Sequence, residues 1–145
     1  MPVTKLKSTW SGGALVFEDY SKTEVLMIGA GVVSQQTKTT NYTMTAADCG
    51  ILTKVGTDAV VITLPATVVG LTFTIQNVAA DGAALISVSP NASDQLIGHG
   101  ITPADNKDLQ NTKATARKGD FVRLIANGTT GWLIQEVRGV WAREA

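Results

Sequence analysis

The chain has 145 residues, 44% of them hydrophobic and 17% charged, with 12 basic and 12 acidic residues and a formal net charge of zero. That balance excludes a nucleic-acid binder working through a broad basic surface, and it removes the self-repulsion that keeps copies apart. A single cysteine, Cys49, excludes an internal disulfide framework and fits folding in a reducing cytoplasm.

At this length one domain with a single core is the simplest reading. The longest apolar runs, such as residues 59–64, fall short of a bilayer span. No apolar core of signal-peptide length follows Lys5 and Lys7, so neither a membrane partner nor secretion by that route is expected.

Two regions differ in texture, with a boundary expected near residue 40. Residues 1–40 hold two apolar runs, 14–17 and 24–28, which read as strand, connection, strand. Residues 34–40 are polar and without periodicity, a linker or an exposed extended arm. From residue 41 a dense series of strands is predicted: 42–45, 51–55, 59–64 stopped by Pro65, 71–75, 84–88, 121–125 and 132–137, with Val140 and Trp141 closing the last. Within 71–75 strict alternation sends Leu71, Phe73 and Ile75 inward and Thr72 and Thr74 outward. Asn127-Gly128 marks a hairpin between the two late strands.

The best helical candidate is one turn at 103–109, capped by Thr102. The segments 46–50 and 79–83 echo each other, but two copies fall short of a repeat solenoid and read as shared turn chemistry. The expected fold is all-β: a small β-sandwich or β-barrel at 41–145 with an extended N-terminal segment at 1–40.

Residues equipped for chemistry are sparse. His99, the only histidine, lies between two glycines with no nucleophile elbow and no companion ligands for zinc, so it reads as a structural loop residue. Asp94, Asp105 and Asp108 sit in a connection rich in oxygen donors, but their spacing matches no calcium loop, and Asx-turns account for them. Cys49 reads as a turn thiol. Lys113, Arg117, Lys118 and Arg123 form a local basic cluster, with Lys113 and Arg117 on one side of a strand and Arg123 joining them. Solvated charge is the simplest account of it, and an acidic protein the sharper one. No catalytic residue, metal site or cofactor is expected.

Large aromatics stand near both termini, Trp10 and Trp141, where they serve as interface anchors or pack on the domain's own core. The segments 61–66, 73–77, 86–91, 94–98, 105–108, 111–115, 119–120, 131–132 and 139–144, with 3–8 and 15–17, resemble small virion proteins of tailed bacteriophages, in particular head decoration (cement) proteins. The resemblance implies a non-enzymatic protein on the capsid exterior, made in the host cytoplasm and assembled as a homotrimer that clamps major capsid subunits. On this reading Leu6, Trp10, Leu15 and Phe17 are expected against the shell or a neighbouring subunit, and Trp141 at a protomer interface. The alternative is a tail fibre, spike or baseplate component binding host glycans, with Tyr20 or Tyr42 stacking on sugar. A small hydrolase using Asp94 or His99 is the remote third reading.

Overall fold

A computed structural model describes residues 34–145 throughout and, before them, the strand backbones of Leu6–Ser11, Ala14–Asp19 and Val25–Gly29. The chain divides into two compact units, Met1–Val33 and Ser34–Ala145. In the first, β1 (Leu6–Ser11), β2 (Ala14–Asp19) and β3 (Val25–Gly29) form an antiparallel three-stranded sheet in that order. β2 and β3 fall on the two apolar runs. β1 lies in a stretch whose sequence carries no strand signal, because only Leu6 and Trp10 are apolar.

The second unit is all-β, with eleven strands in two sheets and no α-helix. The larger sheet comprises β4 (Gln35–Lys38), β6 (Leu52–Val55), β8 (Thr72–Asn77), β10 (Gln95–Ile97), β12 (Phe121–Ala126) and β13 (Gly131–Arg138), ordered β10-β13-β12-β8-β6-β4. The smaller one comprises β5 (Tyr42–Thr43), β7 (Val60–Thr63), β9 (Ile86–Ser89), β11 (Leu109–Asn111) and β14 (Ala142–Arg143), ordered β14-β11-β9-β7-β5.

From β4 to β9 the chain alternates between the sheets, and each new strand lies parallel beside the one two before it. Three coils are stacked in this way, so Gln36, Thr53 and Ile75 align in one sheet and Tyr42, Ile62 and Val88 in the other. The later strands return mainly antiparallel.

Alternation sends one side of every strand into a shared core. β8 buries Phe73, Ile75 and Asn77, β12 buries Val122, Leu124 and Ala126, and β7 buries Val60 and Ile62. Trp132 fills the middle, 5.1 Å from Phe73 with the rings tilted by 37°. Leu71 packs on the edge of this core, as the alternation requires.

Three sequence readings change. The polar run at 34–40 contains β4, an edge strand. It needs no apolar residue, because Gln36 donates to the buried Thr53 (2.9 Å) and to Asp48 (3.0 Å) instead of entering a hydrocarbon core. No helix forms at 103–109: Asp105 bridges to Gln95, and β11 begins at Leu109. The single helical turn is Ala46–Asp48, closed by a capping box between Thr45 and Asp48. The basic segment at 112–120 is a series of turns rather than a strand.

Candidate functional site

Each side chain that the sequence offers for chemistry has a structural partner or none at all. His99 sits exposed at φ 52° in a tight turn closed by Ile101 N–H donating to Gly98 O (3.2 Å). Asp94 is buried and accepts the Thr67 amide (2.9 Å), while Asp105 accepts the Gln95 side chain (2.7 Å). Both bonds join segments distant in the chain, 27 and 10 residues apart, rather than closing the local Asx-turns that the sequence suggested. Cys49 is exposed and accepts the Thr72 amide at 3.4 Å. Among the described residues, no group of three or more His, Cys, Asp or Glu is placed to hold a metal ion, and no pocket opens.

The basic cluster disperses. Lys113 pairs with Asp58, Arg117 with Asp81 at 3.8 Å, and Arg123 with Glu136 at 3.0 Å across β12 and β13. Exposed pairs of this kind contribute little to stability. They do neutralise the segment that sequence spacing made look basic.

Two polar networks hold the sandwich together. At the β4 end, burial pushes the Asp48 carboxyl up, but hydrogen bonds outweigh it and hold the group below the ordinary carboxylate range. The donors are the Thr45 amide (2.8 Å), the Gln36 side chain, the Thr45 hydroxyl and the Tyr42 hydroxyl. Lys38 lies 3.3 Å from the centre of the Tyr42 ring. This polar lid ends the stack of coils and blunts the β4 edge with inward polar groups.

The second network is built on three buried side chains. Asn77 at the end of β8 donates to Asn111 at the end of β11 (2.7 Å), and Asn111 donates to Asp120 (3.0 Å) and to Val140 O (3.0 Å). Asp120 also accepts the Arg117 amide (2.8 Å). The chain therefore ties the two sheets together through three side chains no more than 3% exposed. Gly139, at φ 84°, passes so close that a Cβ there would lie 2.1 Å from Asp120 Cγ. The part these residues play here is structural.

Trp141, expected at a protomer interface, is 4% exposed in the domain's own core, with Nε1 donating to Arg138 O (3.0 Å). Its ring packs within the domain, the second of the two roles that the sequence left open for it. Leu6 and Trp10 fall on β1 and Leu15 and Phe17 on β2. Their side chains, and Tyr20, lie outside the described residues. Tyr42 has its ring covered by Lys38 and its hydroxyl held by Asp48, which leaves it poorly placed for sugar stacking.

The outer faces of the sheets remain as candidate binding surfaces. Cross-strand register on the larger sheet aligns Thr37, Lys54, Gln76, Phe121 and Arg138 in one row over five strands. At about 4.8 Å per strand, Lys54 and Arg138 stand roughly 14 Å apart, with Phe121 between them. Neither cation has an ion-pair partner among the described residues. A second row runs Ile125, Leu133, Ile97. The smaller sheet differs: its outer rows are Thr43, Thr63, Ser89 and Val61, Ser87, Gln110, Ala142, small and uncharged. Sequence reasoning missed the row on the larger sheet, because its members come from five separated segments. No family model matches the chain, and no curated protein does either.

Proposed function

We propose that this chain is a structural virion protein, acting without catalysis, that decorates a phage capsid by binding the outer surface of major capsid subunits as a homotrimer. The observation that carries this reading is how the polar groups are used. Asp48, Asp94, Asp120, Lys113, Arg117 and Arg123 are committed to amides or ion pairs, while Lys54 and Arg138 on the outer row of the six-stranded sheet have no ion-pair partner among the described residues. A row that combines cations without ion-pair partners among the described residues, an aromatic and half-exposed aliphatics suits a protein partner rather than a small substrate, which needs concavity. The resemblance to head decoration proteins supplies the identity of that partner.

The test is a pull-down on expanded, undecorated capsids with the full chain and with a Lys54→Glu/Arg138→Glu variant. Saturable binding by the full chain, weakened at least tenfold in the variant, supports the reading. Absence of binding by the full chain, together with specific glycan capture on an array, moves the protein to a tail fibre or spike.

A further inference from the structure

The turn between β12 and β13 holds a reactive dipeptide. Asn127 is the only asparagine of the chain followed by a glycine. In such a pair the glycine amide nitrogen can attack the asparagine side-chain carbonyl, because no Cβ on the second residue obstructs the approach. A bond forms between Gly128 N and Asn127 Cγ, and the Cγ–Nδ2 bond breaks. The departing nitrogen takes up the Gly128 amide proton and leaves as ammonia. Solvent water then opens the cyclic imide at either carbonyl, which puts aspartate or isoaspartate at position 127.

The glycine cannot be exchanged to remove this reactivity. Gly128 has a φ of 75°, and a Cβ on it would lie 2.2 Å from Val69 Cγ2. The carbonyl side of the reaction is also favoured. Asn127 Oδ1 accepts the amides of Thr129 (2.9 Å), Thr130 (3.0 Å) and Gly131 (3.0 Å), three donors aimed where negative charge develops during attack.

The nucleophile's side is held back. Gly128 N–H donates to Thr67 Oγ1 (2.9 Å), which fixes the peptide plane and retains the proton that the attack must release. The same hydroxyl donates to Gly131 O (2.9 Å), the carbonyl that also accepts the Asn127 amide (2.9 Å). Thr67 is itself fixed by its amide donating to the buried Asp94 (2.9 Å). The leaving group is tied as well, with Asn127 Nδ2 donating to Thr130 Oγ1 (2.9 Å). One threonine, 61 residues before Gly128, thus bridges both ends of the turn.

We infer that Asn127 is a deamidation site latched by Thr67: the closed hairpin blocks imide formation, and modification proceeds when the Thr67 contact opens. Conversion adds a negative charge to a chain of zero formal charge and removes the donor to Thr130. Isoaspartate also lengthens the main chain next to the Ala126–Trp132 pair, beside the centre of the core. This goes beyond the capsid reading and stands without it.

Peptide mapping by mass spectrometry, after incubation of the full chain at mildly alkaline pH, reads the fraction converted at position 127. The folded wild type is expected to convert far more slowly than the same chain in denaturant. Thr67→Val removes both hydroxyl bonds and should convert about tenfold faster than wild type, the rise in open hairpin that losing two hydrogen bonds brings. Thr67→Ser keeps the hydroxyl and should stay near the wild-type rate. A folded wild type as fast as the denatured chain, Thr67→Val no faster than wild type, or Thr67→Ser as fast as Thr67→Val overturns the inference. If Thr67→Val fails to fold, hydrogen exchange at the wild-type Gly128 amide decides. Protection there supports the latch, and exchange at the rate of an unstructured chain overturns it.

Discussion

The coiled half of the sandwich, β4–β9, and its closing half, β10–β14, solve the same problem in different ways. In the first half each strand lies parallel to the one two before it, and the chain crosses between sheets at every connection. In the second half β12 and β13 form a hairpin, and β11 and β14 pair antiparallel. The coiled half leaves an open end, which Gln36, Tyr42 and Asp48 close with polar groups. The closing half is anchored in the interior by Asn77, Asn111 and Asp120. A lid beside solvent and a staple away from it use similar bonds, yet the low dielectric makes the second far more costly to break.

Substitutions test that contrast. The largest effect is expected at Gly131, where β10 meets β13 and a Cβ would lie 2.0 Å from Gln95 O. The obstruction is backbone, and the φ of 151° also disfavours a side chain, so Gly131→Ala should cost about 4 kcal/mol in a denaturant titration. Asn111→Ala leaves the buried Asn77 side-chain amide without its acceptor and Asp120 without one of its donors, and should cost about 3 kcal/mol by the same measurement.

Asp48→Ala should cost about 2 kcal/mol, less than the staple, if the lid is the weaker device. A loss equal to that of Asn111→Ala would break the comparison. The Asp48 carboxyl is held below its ordinary value of 3.8, so its stabilisation is fully present above that value and is lost as pH falls through the lower folded value. Thermal melts of the wild type should therefore drop more steeply in that acid range than melts of Asp48→Ala. The smallest effect runs the other way. Ala59 sits at φ 59° just before β7, and Ala59→Gly should raise stability by about 0.5–1 kcal/mol by relieving that conformation.

Much of the fold was legible residue by residue. The alternation of residues 71–75 gave the buried Phe73 and Ile75, Pro65 lies just beyond β7, and Asn127-Gly128 lies between β12 and β13. The Asn127 side chain closes that hairpin by accepting the amides of Thr129, Thr130 and Gly131. β4 was not legible, because strand signals are built on apolar alternation and its inward residues are Gln36 and Lys38. The coils were hidden for a related reason: they repeat in backbone geometry while Gln36, Thr53 and Ile75 share one position with no sequence likeness.

The site followed the same division. Local sequence marked Trp10 and Trp141 alike as aromatics near chain ends, but only packing showed that Trp141 belongs to the core. Lys113, Arg117 and Arg123 looked like one patch because they are close in sequence, and folding gave Lys113 and Arg117 acids from distant segments and Arg123 one from the facing hairpin strand. By itself the sequence determined an all-β chain, with strand-forming runs, turns and inward positions set by local sterics and by the two-residue period of the backbone. The tertiary structure alone decided which strands are neighbours. That choice built the Asn77–Asn111–Asp120 staple and the Lys54–Phe121–Arg138 row, because cross-strand neighbours are set by register between segments far apart in the chain.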